Sequence, residues 1–429
     1  MRVSTQQIFQ AGLSGMLQQQ STLNQLSQQL STGNALTNPA DNPTAYSQSL
    51  DLGARIANLQ SYQQSNQYAQ QNLQLSSSTL QSVSTLMNQV QQLAVQMNNG
   101  TVNSNDLQNA VTTMQGNLQQ LVQLANTQDA NGKYIYGGSQ DGSPPFALQS
   151  NGQVLYQGDG GTNSLQIGPS LSVPSSQPGS AIFMNIPAGN GTFTVTPSGS
   201  NYGSSSSGTV TLGPGSVLDS AAAQSAFIAQ GASYQISISQ GSSGMTYTVS
   251  SGTGNSPSSS WSPVSSGAFT PGQSIDIPDP NDPNSPMASV STQGAPGSGQ
   301  TESFVLSAAR PQSLFQTFQS IITALQAGTG SPAANTERAQ GLSNALANLS
   351  NAQTQLLSVQ ASIGSQLQQA QSVSTLNTNL TEQFQSTQSS LADISYPQVI
   401  TQFQESSTAL QAAQKAFVQV QGLSLFNYI

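Results

Sequence analysis

Residues 44–98 read TAYSQSLDLGARIANLQSYQQSNQYAQQNLQLSSSTLQSVSTLMNQVQQLAVQMN. Within them Arg55, Leu59, Tyr62, Asn66, Ala69, Leu73, Ser76, Leu80, Val83, Met87, Val90, Ala94 and Met97 recur at alternating spacings of four and three. Such a seam turns one face of a helix toward a partner along its whole length. A single helix here would run about 80 Å at 1.5 Å per residue. Asn42 is placed to cap it, Pro43 fits its first turn, and Asn98-Asn99-Gly100 ends it.

Upstream, Phe9, Leu13, Met16, Gln20, Leu23, Ser27 and Leu30 carry the same alternation, widened by Leu17 and Leu26, and Gly33-Asn34 can stop that helix. In the link Asn38-Pro39-Ala40-Asp41-Asn42-Pro43 each residue before a proline is pushed out of the helical region, which predicts a loop of defined shape. Downstream, Asn103 or Ser104 caps a third helix carrying Leu107, Val111, Met114, Leu118, Leu121 and Ala125.

The far end mirrors the near one. Leu314, Phe318, Ile321 and Leu325 mark a short helix, and Pro332 begins a long one. Its seam is Leu356, Val359, Ile363, Gln366, Ala370, Val373, Asn377, Leu380, Phe384, Thr387, Leu391 and Ile394. Leu342, Leu346 and Leu349 sit in a shifted register, predicting a break in the heptads. Pro397 interrupts the pattern before a last helix with Val399, Phe403, Ser406, Leu410, Ala413, Phe417 and Val420. Between the two helical ends the chain is rich in Gly, Ser, Thr and Pro. Short strands are predicted there at 153–156, 192–195, 209–212, 234–238 and 246–249.

Composition narrows the function. Only 5% of residues are charged, and the six bases Arg2, Arg55, Lys133, Arg310, Arg338 and Lys415 are scattered. Nucleic-acid binding needs clustered bases, so it is disfavoured. With no Cys and no His, disulfides, thiol chemistry and the commonest general base are excluded. Ser therefore has no imidazole to activate it, and the Gly-rich stretches lack a Lys at phosphate-loop spacing. No apolar run follows Arg2 as in a cleaved secretory signal, and none approaches a membrane span. The reading is a soluble, non-enzymatic chain without cofactor or metal, cytoplasmic or exported by a route reading another signal.

Asp276, Asp279 and Asp282 suggest calcium at first sight, but the stretch lacks the Gly and bidentate Glu of an EF-hand loop and reads as a solvated Pro-rich turn. Trp261, with several Tyr, is compatible with a sugar platform and equally with local packing. The polar seam members Gln20, Asn66, Gln366, Asn377 and Thr387 lower stability while specifying register. Helices with such seams and few exposed ion pairs are expected to depend on neighbouring subunits.

Several stretches resemble the flagellin superfamily, and within it the hook-associated proteins of the hook-filament junction. They are Met1-Arg2-Val3-Ser4-Thr5-Gln6-Gln7-Ile8-Phe9, the loop signature Pro39, Asp41, Asn42 and Pro43, Gly132-Lys133-Tyr134-Ile135-Tyr136-Gly137-Gly138 with Pro145-Phe146, Tyr156-Gln157-Gly158-Asp159-Gly160, Val359-Gln360-Ala361-Ser362-Ile363-Gly364, and Gly422-Leu423-Ser424-Leu425-Phe426-Asn427-Tyr428-Ile429. Ser395-Tyr396-Pro397 departs from the more acidic, proline-free stretch of that family. The resemblance implies type III export without a cleaved signal, an extracellular place on the flagellum, and a ring of about eleven subunits. It also implies hook-associated protein 1, flagellin and an export chaperone as partners. A filament flagellin and an adhesive, glycan-binding surface protein are the alternatives.

The predicted fold is mainly α with a β-rich insertion, the terminal helices forming an antiparallel coiled-coil rod and the middle a small β domain. The expected division is 1–36 as an N-terminal assembly helix, 37–132 with 303–396 as a helical rod, 133–302 as a head, and 397–429 as a C-terminal assembly helix. The expected assembly interface comprises Phe9, Leu13, Met16, Leu23, Leu30, Leu410, Phe417, Val420, Leu425 and Phe426. These ends are expected to fold on assembly, because each exposes a seam without a partner.

Overall fold

The computed structural model describes residues 5–40, 42–99, 102–198, 209–253, 261–327 and 331–422. The fold is mainly α with a β-rich insertion. Helices α1 (Thr5–Thr32), α2 (Pro43–Met97) and α3 (Ser104–Ala125) precede the strands, α4 (Ser220–Ala223) lies among them, and α5 (Leu314–Gln326), α6 (Pro332–Ala392) and α7 (Tyr396–Gly422) follow.

Helix starts follow local chemistry. Asn42 Oδ1 accepts the Ala45 N–H at 3.1 Å, capping α2 ahead of Pro43. Asn103 and Asp106 form a reciprocal capping box on α3, as Ser313 and Gln316 do on α5. Along α2 the seam from Leu59 to Met97 is buried with Tyr62 only half-buried, whereas Arg55 is exposed and pairs with Asp51 at 2.9 Å. Ile56, 8% exposed, takes the buried place that the spacing gives to Arg55.

Helix α6 corrects a second expectation. Burial passes through Leu342, Ala345, Leu349, Ala352 and Leu356, then Ile363, Ala370 and Asn377, with no change of register from 342 to 377. The seam runs through Ala345 while Leu346 lies half-buried beside it, so the predicted heptad break is absent. Pro397 stands where the pattern is expected to break, since α6 ends at Ala392 and α7 opens at Tyr396. The Ser395 carbonyl accepts the Val399 N–H at 3.0 Å, and Pro397 occupies the first turn, where its missing N–H is not needed.

The chain divides into two compact units. The first comprises Met1–Gln67, Gln166–Leu171 and Ser372–Ile429. In it Gln63 donates to Ser374 Oγ at 2.6 Å and Gln388 to the Ser49 carbonyl at 3.0 Å, which fixes the start of α2 antiparallel to the end of α6. Asn377, a polar seam position, is buried and donates to the Ile167 carbonyl at 2.9 Å. Its role is to satisfy the backbone of residues 166–171, which explains a polar residue at a core position.

The second unit comprises Tyr68–Leu165 and Ser172–Gln371. Tyr136, Phe146, Phe183 and Phe315 cluster with ring centroids 5.0–6.0 Å apart. Burial pushes the Tyr136 phenol well above its ordinary range. Asp129 is also buried, which raises its carboxyl, but bonds from Tyr68, the Lys133 and Asn131 amides and Asn72 outweigh that and hold it below the ordinary value.

The strands are β1 (Phe146–Leu148), β2 (Val154–Tyr156), β3 (Ser164–Gly168), β4 (Leu171–Pro174), β5 (Phe193–Ser198), β6 (Thr211–Leu212), β7 (Ser216–Val217), β8 (Ala232–Gly241), β9 (Gly244–Thr253), β10 (Ser262–Ala268), β11 (Ser274–Pro278), β12 (Pro286–Gln293) and β13 (Thr301–Ala308). Antiparallel pairing gives a five-stranded sheet in the order β10-β9-β8-β13-β5. A second sheet has the order β11-β12-β6, with β7 also on β12. Both sheets contribute to one apolar core that includes Phe193, Phe227, Ile236, Ile275, Val290 and Phe304.

Residues 303–308, expected within the helical rod, belong instead to β13. Glu302, Phe304 and Leu306 are buried at every second position, which is the period of a strand. Asp279 accepts the Asn281 N–H, and Asp282 accepts the Asn284 N–H and the Ser285 hydroxyl, so both carboxylates are engaged in the turn itself.

Candidate assembly interface

The first unit brings the chain's two ends together. Gly33 terminates α1 in the left-handed region (φ +71°), donating back to the Gln29 carbonyl at 2.8 Å. Beside it Ala35 donates to the Ala392 carbonyl at 2.6 Å and Ile394 to the Gly33 carbonyl at 3.1 Å. These bonds pin the exit of α1 to the entrance of α7.

From that point the two helices run antiparallel. Gln19 Nε2 donates to Ser406 Oγ at 2.8 Å, and the Phe9 and Phe417 rings lie 4.9 Å apart. Gly12 lies beneath the Phe417 ring, where an added Cβ would come within 3.2 Å of it. The pairs 34–393, 19–406 and 9–417 fall on one continuous register. Helix α1 contains no charged residue, and α7 carries only Glu405 and Lys415, so apolar packing and amide bonds hold the pair.

The pairing buries only a narrow seam. Leu26 is 8% exposed and Val399 and Ser406 are buried, while Met16, Leu23, Leu30, Leu410 and Phe417 are half-buried. Phe9 at 41%, Leu13 at 42%, Leu17 at 59% and Val418 at 66% remain exposed. Pro39, Asn42 and Pro43 are exposed in the link before α2. The side chain of Val420, together with Leu425, Phe426 and Asp41, lies outside the described residues.

Sequence reasoning placed Gln20 in the seam, yet Gln20 is exposed and Gln19 makes the interhelical bond. The nearby Leu23-Leu26-Leu30 spacing carried a signal, since stepping back from Leu26 by seven reaches residue 19. The expectation that each end lacks a partner also changes, because each is the other's partner within one chain.

Backbone exchange on the monomer measures how firmly the pair is held. Amides of residues 9–30 and 400–418 are expected to exchange at least about a hundredfold faster than those of Leu73–Ala94, because few buried apolar contacts resist their local opening. Equal protection would mean that the pair is complete without neighbours.

Residues 3–141 match the family described as the bacterial flagellin N-terminal helical region. The chain is 33% identical over 186 residues to flagellar hook-associated protein 3 of Salmonella typhimurium, a stretch covering 43% of this chain and 58% of that relative. The match therefore spans less than two thirds of the relative's length. The crystal structure of flagellar hook-associated protein 3 from Legionella pneumophila superposes with a TM-score of 0.68 at 26% identity, covering 79% of this chain and 98% of the other. A crystal structure of the flagellar junction protein from Legionella pneumophila gives a TM-score of 0.66 at 25% identity, covering 81% and 100%.

Proposed function

We propose, from the premise that this chain carries the flagellin N-terminal helical region and is built like hook-associated protein 3, that it is a non-enzymatic structural subunit joining hook to filament in the bacterial flagellum. One observation carries the reading: the antiparallel α1–α7 pair leaves an uncharged apolar stripe of Phe9, Leu13, Leu17 and Val418 open. A patch of this kind, at the meeting of both chain ends, is suited to covering by neighbouring subunits. Phe9, Leu13, Met16, Leu23, Leu30, Leu410 and Phe417, with Val420, Leu425 and Phe426, form the assembly surface in this reading. Its partners are further copies of the chain in a ring of about eleven, with hook-associated protein 1 on one side and flagellin on the other. Export proceeds by the type III route, attended by a chaperone, to an extracellular position.

Deletion of the gene tests this directly. Hooks are expected to remain while flagellin escapes unassembled into the medium. Normal filaments in the deletant overturn the junction assignment, and loss of filament mass with an intact junction points to a filament subunit instead.

A further inference from the structure

One face of α6 carries amides at 340, 344, 348, 351 and 355, and every one bonds to backbone of the β-rich region in the same unit. Asn348 accepts the Gly189 N–H at 2.7 Å, Asn351 donates to the Gly189 carbonyl at 2.8 Å, and Gln355 donates to the Ala181 carbonyl at 2.9 Å. The first two amides do something more specific. Gln340 accepts the Leu212 N–H and donates to the Leu212 carbonyl, both at 2.8 Å, which is the two-bond pattern a neighbouring strand residue would supply. One helical turn on, Asn344 donates to the Val195 carbonyl at 2.9 Å and accepts from Gln340 at 3.1 Å.

Leu212 lies in β6 and Val195 in β5, the end strands of the two sheets. End strands present unpaired N–H and C=O groups that recruit further strands. On β5, Pro197 removes another donor from the outward row that Val195 occupies. We infer that Gln340 and Asn344 act as strand surrogates, a neutral clamp by which α6 closes one edge of each head sheet against strand addition by a second copy of the chain.

The chemistry suits an amide. A two-bond pairing to one residue needs a donor and an acceptor side by side, which Gln presents at any pH and a carboxylate does not. The charged groups nearby are Glu302, which holds Thr209 and Val210, and Glu337 and Arg338 on α6. None of them supplies the Leu212 or Val195 bonds described here.

The test uses the full-length chain and Gln340→Glu, compared with the wild type at each pH so that titration of Glu302 cancels. At pH 7 the carboxylate faces the Leu212 carbonyl, and protection of the Leu212 amide from exchange is expected to fall on the order of ten- to a hundredfold. Near about pH 4 the protonated side chain regains a donor and protection returns, whereas Gln340→Ala loses it at both pH values. Asn344→Ala, which removes one bond to the strand edge and the one it accepts from Gln340, is expected to show concentration-dependent association in sedimentation that the wild type lacks. Wild-type protection in Gln340→Glu at pH 7, failure of acid to restore it, or a strictly monomeric Asn344→Ala variant each overturns the clamp.

Discussion

In the assembly proposed above, Phe417→Ala is expected to abolish incorporation while the free chain keeps its helical content. The ring lies tilted against Phe9 with centroids 4.9 Å apart and covers Gly12, yet it is only half-buried in the single chain. Truncation therefore costs the monomer little, about 1 kcal/mol for the lost aromatic pair. In an assembly the same ring is expected to be covered from the other side, and each subunit repeats the loss. A further deficit of about 1.4 kcal/mol per contact lowers association roughly tenfold at every interface, so the proposed assembly of many such contacts fails. Phe417→Leu, which keeps the apolar bulk, is expected to retain partial function. The measurement is junction occupancy by labelling together with swimming, set beside far-UV circular dichroism of the purified variant. Wild-type occupancy in Phe417→Ala removes the α1–α7 pair from the assembly surface.

A second large effect is expected inside the head. Glu302 is fully buried on β13, and its two carboxylate oxygens accept the Thr209 and Val210 N–H groups, each at 2.9 Å. Glu302→Ala strands both donors, and the head is expected to lose about 3 kcal/mol of stability. Glu302→Gln keeps one acceptor and is expected to lose less. The variants also differ in their response to pH. Burial raises the Glu302 carboxyl above its ordinary value despite the two amide bonds. A raised folded-state value means that the native state binds the proton more readily than the unfolded chain. This group's contribution therefore rises as pH falls through the folded-state value and levels off below the unfolded one. That upward slope on acidification is expected in the wild type and absent from Glu302→Gln. Thermal melts of both from pH 7 to pH 4 measure it, and parallel curves would show that Glu302 does not titrate in this range.

Those two residues show how far the sequence could be read. Phe417 was found because helical periodicity survives in a single sequence; its neighbours at i−4 and i−7, Ala413 and Leu410, announce the face. Glu302 was invisible. It sits in Thr301-Glu302-Ser303-Phe304-Val305-Leu306, where two-residue alternation competes with a helical seam starting just downstream, and the strand prevails through pairing with residues over sixty positions away. The Ser-rich strand β10 was missed for a related reason, since its residues carry almost no intrinsic strand preference and are ordered by β9 alone. Ala345 escaped as a core residue because an alanine gives little apolar contrast against Gln and Ser neighbours. The amides at 340, 344 and 348 on α6 look like any other Gln and Asn in the sequence, and only their partners reveal that they are specific.

The bond between Gln19 and Ser406 joins residues 387 positions apart. Contacts of such long sequence separation are the slowest to form. A chain that emerges in order from its N-terminus carries α1 without its partner until the 27-residue α7 has followed. Pairing can then occur only after α7 has followed, so the geometry of α1 and α7 contains a clock: readiness to join neighbours reports that α7 has arrived.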